Sequence, residues 1–222
     1  MEQVTHVYFI PGMAANVSIF EHIKLPEDRY KIHLIPWKIP DKNESLHNYA
    51  KRMSEKIGQR PCVLIGVSFG GIMAQEMSAF VNAQKVIIIS SVKSSSEFPN
   101  RIRVVGKTKA YRFFPTSLIS KIENWEKLAF GDFAKKRAAL YQKYLSIKDK
   151  TYLDWSIERI VHWNRVDPDP KVIHIHGDHD VVFPITNIRN CIVIKGGTHA
   201  MIINRARWFN DNLPKIIDES HG

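Results

Sequence analysis

The sequence predicts an α/β fold: a mostly parallel sheet of about six strands, flanked by helices, with a helical segment inserted in the middle of the chain. Three observations predict it. Short, almost wholly apolar runs rich in Val and Ile have the composition of strands covered on both faces. They alternate with segments whose apolar residues recur at three- and four-residue spacing. The span between the runs at 86–89 and 172–175 is too long for one crossover, so an insertion is expected there.

Residues 4–10 (VTHVYFI) form the first predicted strand, stopped by Pro11-Gly12. Residues 32–37 (IHLIPW) form the second, weakened by Pro36. A helix is predicted over 46–57, where Leu46, Tyr49, Ala50, Met53 and Ile57 share a face. Ser45 suits its N-cap and Gly58 the position just past its end. Residues 62–67 (CVLIGV) read as a central strand, and 70–81 as the helix after it. Residues 86–89 (VIII), 172–175 and 191–194 (CIVI) complete the strands, and a last helix is predicted over 198–213. The predicted core is 1–93 with 166–222. Residues 94–165 form a helical cap, closed by the turn-rich Asp167-Pro168-Asp169-Pro170.

A chain of 222 residues suits one such domain and buries a full core without staples. Cys62 and Cys191 stand apart among apolar residues, outside any C-x-x-C pair, and read as reduced buried thiols. The first ten residues lack the features of a signal peptide, and no apolar run reaches the roughly 20 residues of a membrane span. A cytoplasmic protein with no membrane partner is expected. The net charge is +10 and unevenly placed: residues 93–150 hold fourteen Lys/Arg against five Asp/Glu. Such a block is either a solvated basic surface or an attractor for an anionic partner, such as an acidic substrate, coenzyme A or an acidic carrier protein. No nucleic-acid-binding motif accompanies it, so nucleic acid is not an expected partner.

The chemistry concentrates at Gly66-Val67-Ser68-Phe69-Gly70-Gly71, which follows an apolar strand and opens a helix. A chain that reverses this sharply crowds the residues two before and two after the serine, and both are glycine. The turn lifts Ser68 to the strand tip and aims the Phe69 N–H at the site of a developing oxyanion. A phosphate-binding loop would need Gly-Lys-Ser/Thr here, and that is absent.

With this elbow, Gly12 after the first strand, Asp180 after the strand at 172–175 and His199 after the last strand, the chain resembles the α/β-hydrolase family. The order Ser, Asp, His is the order of that fold, and the resemblance covers the whole chain. It implies a catalytic triad: Ser68 as nucleophile, His199 as general base and acid, and Asp180 orienting the imidazole. It also implies an oxyanion hole made by the backbone N–H groups of Phe69 and Met13. Where many relatives have His-Gly, this chain has Pro11-Gly12. The antiparallel pair that opens many relatives is missing, so the sheet should be all parallel. The implied activity is hydrolysis of a carboxylic ester or thioester through an acyl-enzyme, with no cofactor or metal. The implied partner is a small acyl substrate, anionic or carrier-linked if the basic cap steers it. Carbon–carbon hydrolases and cofactor-free lyases use the same triad. Cap aromatics Tyr111, Phe113, Phe114, Trp125, Trp155 and Trp163 either line an acyl pocket or form the cap's own core.

One stretch supports a rival. In HIHGDHDVVFP (174–184), His174, His176, Asp178 and His179 have the spacing of a two-metal hydrolase ligand set. Only a short tail follows it to supply further ligands, and that reading leaves the Ser68 elbow unexplained. The Gly177-x-x-Asp180-x-x-x-Pro184 spacing selects Asp180 as the acid, and Asp178 then caps or shapes the loop. A non-catalytic binding protein on the same fold is the third reading, and it has no need of all three triad residues.

Overall fold

A computed structural model of the chain describes residues 4–108 and 143–219. Its six strands are β1 (Thr5–Ile10), β2 (Tyr30–Leu34), β3 (Cys62–Val67), β4 (Ala83–Ile89), β5 (Val172–Gly177) and β6 (Ile192–Ile194). The α-helices among these residues are α1 (Leu46–Ser54), α2 (Phe69–Met77), α3 (Asn100–Thr108), α4 (Lys150–Val161), α5 (Met201–Asn204) and α6 (Ala206–Asp218). The strands form one sheet in the order β2-β1-β3-β4-β5-β6, and every adjacent pair is parallel. The expected mostly parallel sheet flanked by helices is therefore present.

Strand alternation divides the core into two layers. Tyr8, Ile10, Leu64, Ile88 and Val172 face α1, α2 and α4. Val7, Phe9, Ile65, Ile87 and Ile175 face α5 and α6. All six residues of β3 and of β5 are buried, which explains the unbroken apolar or small-residue character of β3, while β5 also buries His174 and His176. α1 starts where the Ser45 hydroxyl accepts from the Asn48 N–H at 3.1 Å, and it buries Tyr49, Ala50 and Met53.

Several boundaries differ from expectation. β2 begins earlier and ends at Leu34, because Pro36 has no N–H for the ladder. The single helix predicted over 198–213 is two, broken at Arg205, whose guanidinium reaches back to the Gly196 carbonyl at 3.2 Å. α6 continues to Asp218 and tolerates Pro214.

In the expected cap, Tyr111, Phe113, Phe114 and Trp125 lie outside the described residues. Trp155 and Trp163 are buried. Trp155 packs its ring 4.4 Å from Tyr49 and donates its indole N–H to the Glu44 carbonyl, so α4 is joined directly to α1. Chain order along the sheet reverses between β1 and β3, which makes their carboxyl ends the natural crevice of an open α/β sheet. Ser68 and the Pro11-Gly12-Met13 loop stand side by side at that crevice.

Candidate active site

Ser68 joins β3 to α2 with φ 54° and ψ −120°, a conformation that L-residues avoid and that the surroundings must impose. The surroundings do so by close packing. A Cβ on Gly66 would lie 2.0 Å from the Gly70 carbonyl oxygen, and one on Gly70 would lie 2.3 Å from the oxygens of Ile10 and Pro11. Only glycine fits either place. The Ser68 N–H donates to the Ile89 carbonyl at 2.9 Å, and the Ser91 hydroxyl donates to the Ser68 carbonyl at 2.7 Å. The elbow is therefore fastened to β4 and to the turn after it.

His199 sits on the loop between β6 and α5. Its Nε2 is 3.0 Å from Ser68 Oγ and its Nδ1 is 2.8 Å from Asp180 Oδ2. A carboxylate only accepts, so Nδ1 carries the proton and Nε2 is left to accept from the serine hydroxyl. The histidine side chain is 26% exposed while the Asp180 side chain is fully buried. The Asp180 Oδ1 accepts from the N–H groups of Val182 and Phe183 at 2.8 and 2.9 Å. Burial works against the Asp180 charge. The His199 hydrogen bond and charge, with the Phe183 amide and His176, outweigh it and hold this carboxyl below its ordinary value.

The loops bearing the acid and the histidine meet at two further glycines. A Cβ on Gly177 would lie 2.2 Å from the Gly197 carbonyl oxygen. Asp178 serves this junction: its Oδ1 accepts from the Gly196 N–H at 2.6 Å. The acid that faces His199 is Asp180, and Asp178 caps the neighbouring turn.

The β1 loop runs against the elbow. A Cβ on Gly12 would be 3.4 Å from Ser68 Cβ and 3.5 Å from the Val67 oxygen. Met13 follows, partly buried, and Ala14 has φ 62°. Phe69, as the first residue of α2, has an N–H without an intrahelical acceptor.

The four residues of the metal reading do not converge. His174 and His176 lie on β5, one residue apart on the same face, both buried. His176 Nε2 is 2.8 Å from the Phe183 carbonyl oxygen, so it must donate. Nδ1 of His176 then accepts from Nε2 of His174 at 3.0 Å. Asp178 is committed to Gly196, and His179 is exposed. Among the described residues no cluster of three or more His, Cys, Asp or Glu side chains is arranged to hold a metal ion.

Sequence reading missed the part His176 plays. Its Nε2 holds the carbonyl of Phe183, one of the two residues whose amides hold Asp180, and lies 3.6 Å from Asp180 Oδ2. The available signal was strand alternation, which puts position 176 on the same face as 174 but says nothing of the loop folding back over it.

No protein-family model matches the sequence, and no curated protein does. Solved structures do match. The enol-lactonase from Burkholderia xenovorans LB400 superposes with TM-score 0.68 at 13% identity, over 98% of this chain and 92% of that one. A carboxylesterase structure from the thaumarchaeon Nitrososphaera gargenis gives TM-score 0.66 at 16% identity, over 97% and 90%. A hydrolase from Pseudomonas aeruginosa PA01 gives 0.62 at 12%, over 99% and 92%. The architecture that these chains share with this protein is the α/β-hydrolase fold.

Proposed function

We propose that this protein is a serine hydrolase of carboxylic esters or thioesters. The observation that carries the reading is the hydrogen-bonded line from Ser68 Oγ through His199 to buried Asp180, at 3.0 and 2.8 Å. The structural neighbours named above include an enol-lactonase and a carboxylesterase, which supports ester chemistry at such a site.

In this scheme Ser68 Oγ attacks the acyl carbon as its proton passes to His199 Nε2. Asp180 stabilises the imidazolium that forms. The N–H groups of Phe69 and Met13 receive the oxyanion, each such donor being worth about 2.7–4 kcal/mol of barrier. Collapse expels the leaving group, which takes the proton from His199. Water, deprotonated by the same imidazole, then attacks the acyl-enzyme and regenerates Ser68. Protein groups supply every step, so we assign no cofactor.

Residues 94–165 are proposed to roof the site. Their basic charge is proposed to favour an anionic or carrier-linked acyl group, which makes kcat/KM for anionic esters fall with salt more steeply than for neutral ones. Equal salt dependence for both removes that part of the proposal.

The test is a panel of short p-nitrophenyl esters and acyl thioesters, with and without a chelator, for wild type and Ser68→Ala. Turnover by the wild type, insensitive to chelation and abolished in Ser68→Ala, is the expected result. Activity that survives Ser68→Ala but is lost on chelation overturns the proposal. Silence across the panel points instead to a carbon–carbon hydrolase, a lyase or a binding role.

A further inference from the structure

Trp37 follows β2 and lies partly buried beside the elbow. Its indole N–H donates to the Gly12 carbonyl at 3.0 Å, and the Ala15 N–H donates to the same oxygen at 3.1 Å. Its ring stacks on Phe69, with centroids 5.3 Å apart and planes inclined by 21°. Gly12 immediately precedes Met13, and Phe69 immediately follows Ser68. One side chain therefore touches both arms of the proposed oxyanion hole.

The peptide joining Gly12 to Met13 is trans, as are all those described. In a planar trans peptide the C=O and N–H point in opposite directions. Holding the Gly12 oxygen on the indole therefore fixes the Met13 N–H on the side away from it. The turn needs such holding. Ala14 occupies the left-handed region at φ 62°, a conformation that persists only where its surroundings impose it. Those surroundings are Trp37 on one side and residues 143–147 on the other. There Asn16 donates its N–H to the Tyr144 carbonyl at 2.9 Å, and Ile147 donates to the Ala14 carbonyl at 3.1 Å. Trp37 is itself held. The hydroxyl of fully buried Tyr49 accepts from the Lys38 N–H at 3.0 Å and donates to the Lys38 carbonyl at 2.7 Å.

We infer that Trp37 is the positioning residue of the oxyanion hole. It orients the Met13 N–H through the Gly12 carbonyl and braces Phe69 through its ring, so both donors are aligned before the oxyanion forms. The inference rests on the serine-hydrolase reading and adds to it the residue that preorganises the hole.

The test uses Trp37→Phe, which keeps a ring against Phe69 and removes the N–H, beside Ser68→Ala. Kinetics are measured on the best ester of the panel. Affinity is measured for an alkyl boronic acid, which forms a tetrahedral adduct on Ser68, and for the product carboxylic acid. Misplacing one donor should lower kcat by about 10–100-fold, somewhat less than the loss on deleting one, with KM changed by less than about threefold. Boronic acid affinity should fall by a similar factor while product affinity stays put. If Trp37→Phe does not fold, benzothienylalanine at position 37 keeps the bicyclic shape, lacks the N–H and should show the same loss. Unchanged kcat and boronic acid affinity would make Trp37 a packing residue and overturn the inference. So would a raised KM at unchanged kcat, which marks a substrate wall. Activity that survives Ser68→Ala, or a wild type that neither turns over an ester nor binds the boronic acid, sinks the hydrolase reading and this inference with it.

Discussion

Replacing Asp180 by asparagine should do more damage than any other single change of acid in the molecule, and the structure says how. Two backbone amides, from Val182 and Phe183, point at Oδ1. They donate, and so need an acceptor oxygen opposite them, and the carboxamide of Asp180→Asn must keep its oxygen there. Its NH2 group then lies where Oδ2 was, 2.8 Å from His199 Nδ1. A donor at that place forces Nδ1 to accept and moves the ring proton to Nε2. The nitrogen that should take the serine proton then presents one of its own. In a well-studied serine protease triad this change costs about 10⁴-fold in kcat, or about 5.4 kcal/mol of barrier. KM should barely move, because the Asp180 side chain is fully buried behind His199. Asp178→Asn is the matched control: its amide oxygen still accepts from Gly196, and kcat should stay within about twofold. Steady-state kinetics measures the loss, and ¹⁵N shifts of the His199 ring read the tautomer directly. Asp180→Asn within tenfold of wild type, or a larger loss in Asp178→Asn, would show that Asp180 does not set the His199 tautomer.

Gly177→Ala should separate the acid loop from the histidine loop, because its Cβ would start 2.2 Å from the Gly197 oxygen. A shift of about 1 Å is expected to cost on the order of 10²-fold in kcat, and a crystal structure showing His199 Nδ1 still within hydrogen-bond reach of Asp180 would count against it. Stability should fall on the acid side. Burial, with help from His176 and Lys93, drives His174 from 6.5 down to about 2. Below pH 6.5 the unfolded chain binds a proton that the folded one refuses, so stability drops by up to about 1.4 kcal/mol per pH unit from this group. His176, lowered chiefly by burial, and Asp180, held low chiefly by His199 against its burial, act with the same sign. His174→Gln, which can still donate to His176, should flatten the slope of urea-unfolding free energy between pH 6 and 4 by roughly one proton. An unchanged slope would show that His174 titrates normally.

What was legible in the sequence is what is local or periodic. The strands of the sheet centre declare themselves because burial on both faces forbids polar residues along β3 and the end of β4. The elbow declares itself because 66 and 70 collide in space whatever the rest of the chain does, so only glycine satisfies both. What was not legible depends on partners far off in sequence. Trp37 reads as one more aromatic until the β1 loop, 25 residues earlier, places the Gly12 carbonyl against its indole. The break at Arg205 escapes a periodicity argument because the apolar spacing continues across it, while the guanidinium turns back to Gly196.

The stretch at 174–184 shows why one spacing can suggest two chemistries. A two-residue repeat of histidine is shared by metal ligand sets and by ordinary strands, since both need side chains on a common face. What separates them is where the nitrogen lone pairs go. A metal needs them to converge on one point. Here the Phe183 carbonyl accepts the hydrogen bond of His176 Nε2–H, and that choice commits the remaining His176 nitrogen to His174. The pair is thereby a buried prop for the loop whose amides hold Asp180. The same loop turns Asp180 toward His199 and leaves Asp178 at the Gly196 turn, so the chemistry of the stretch is decided by one carbonyl seven residues past His176.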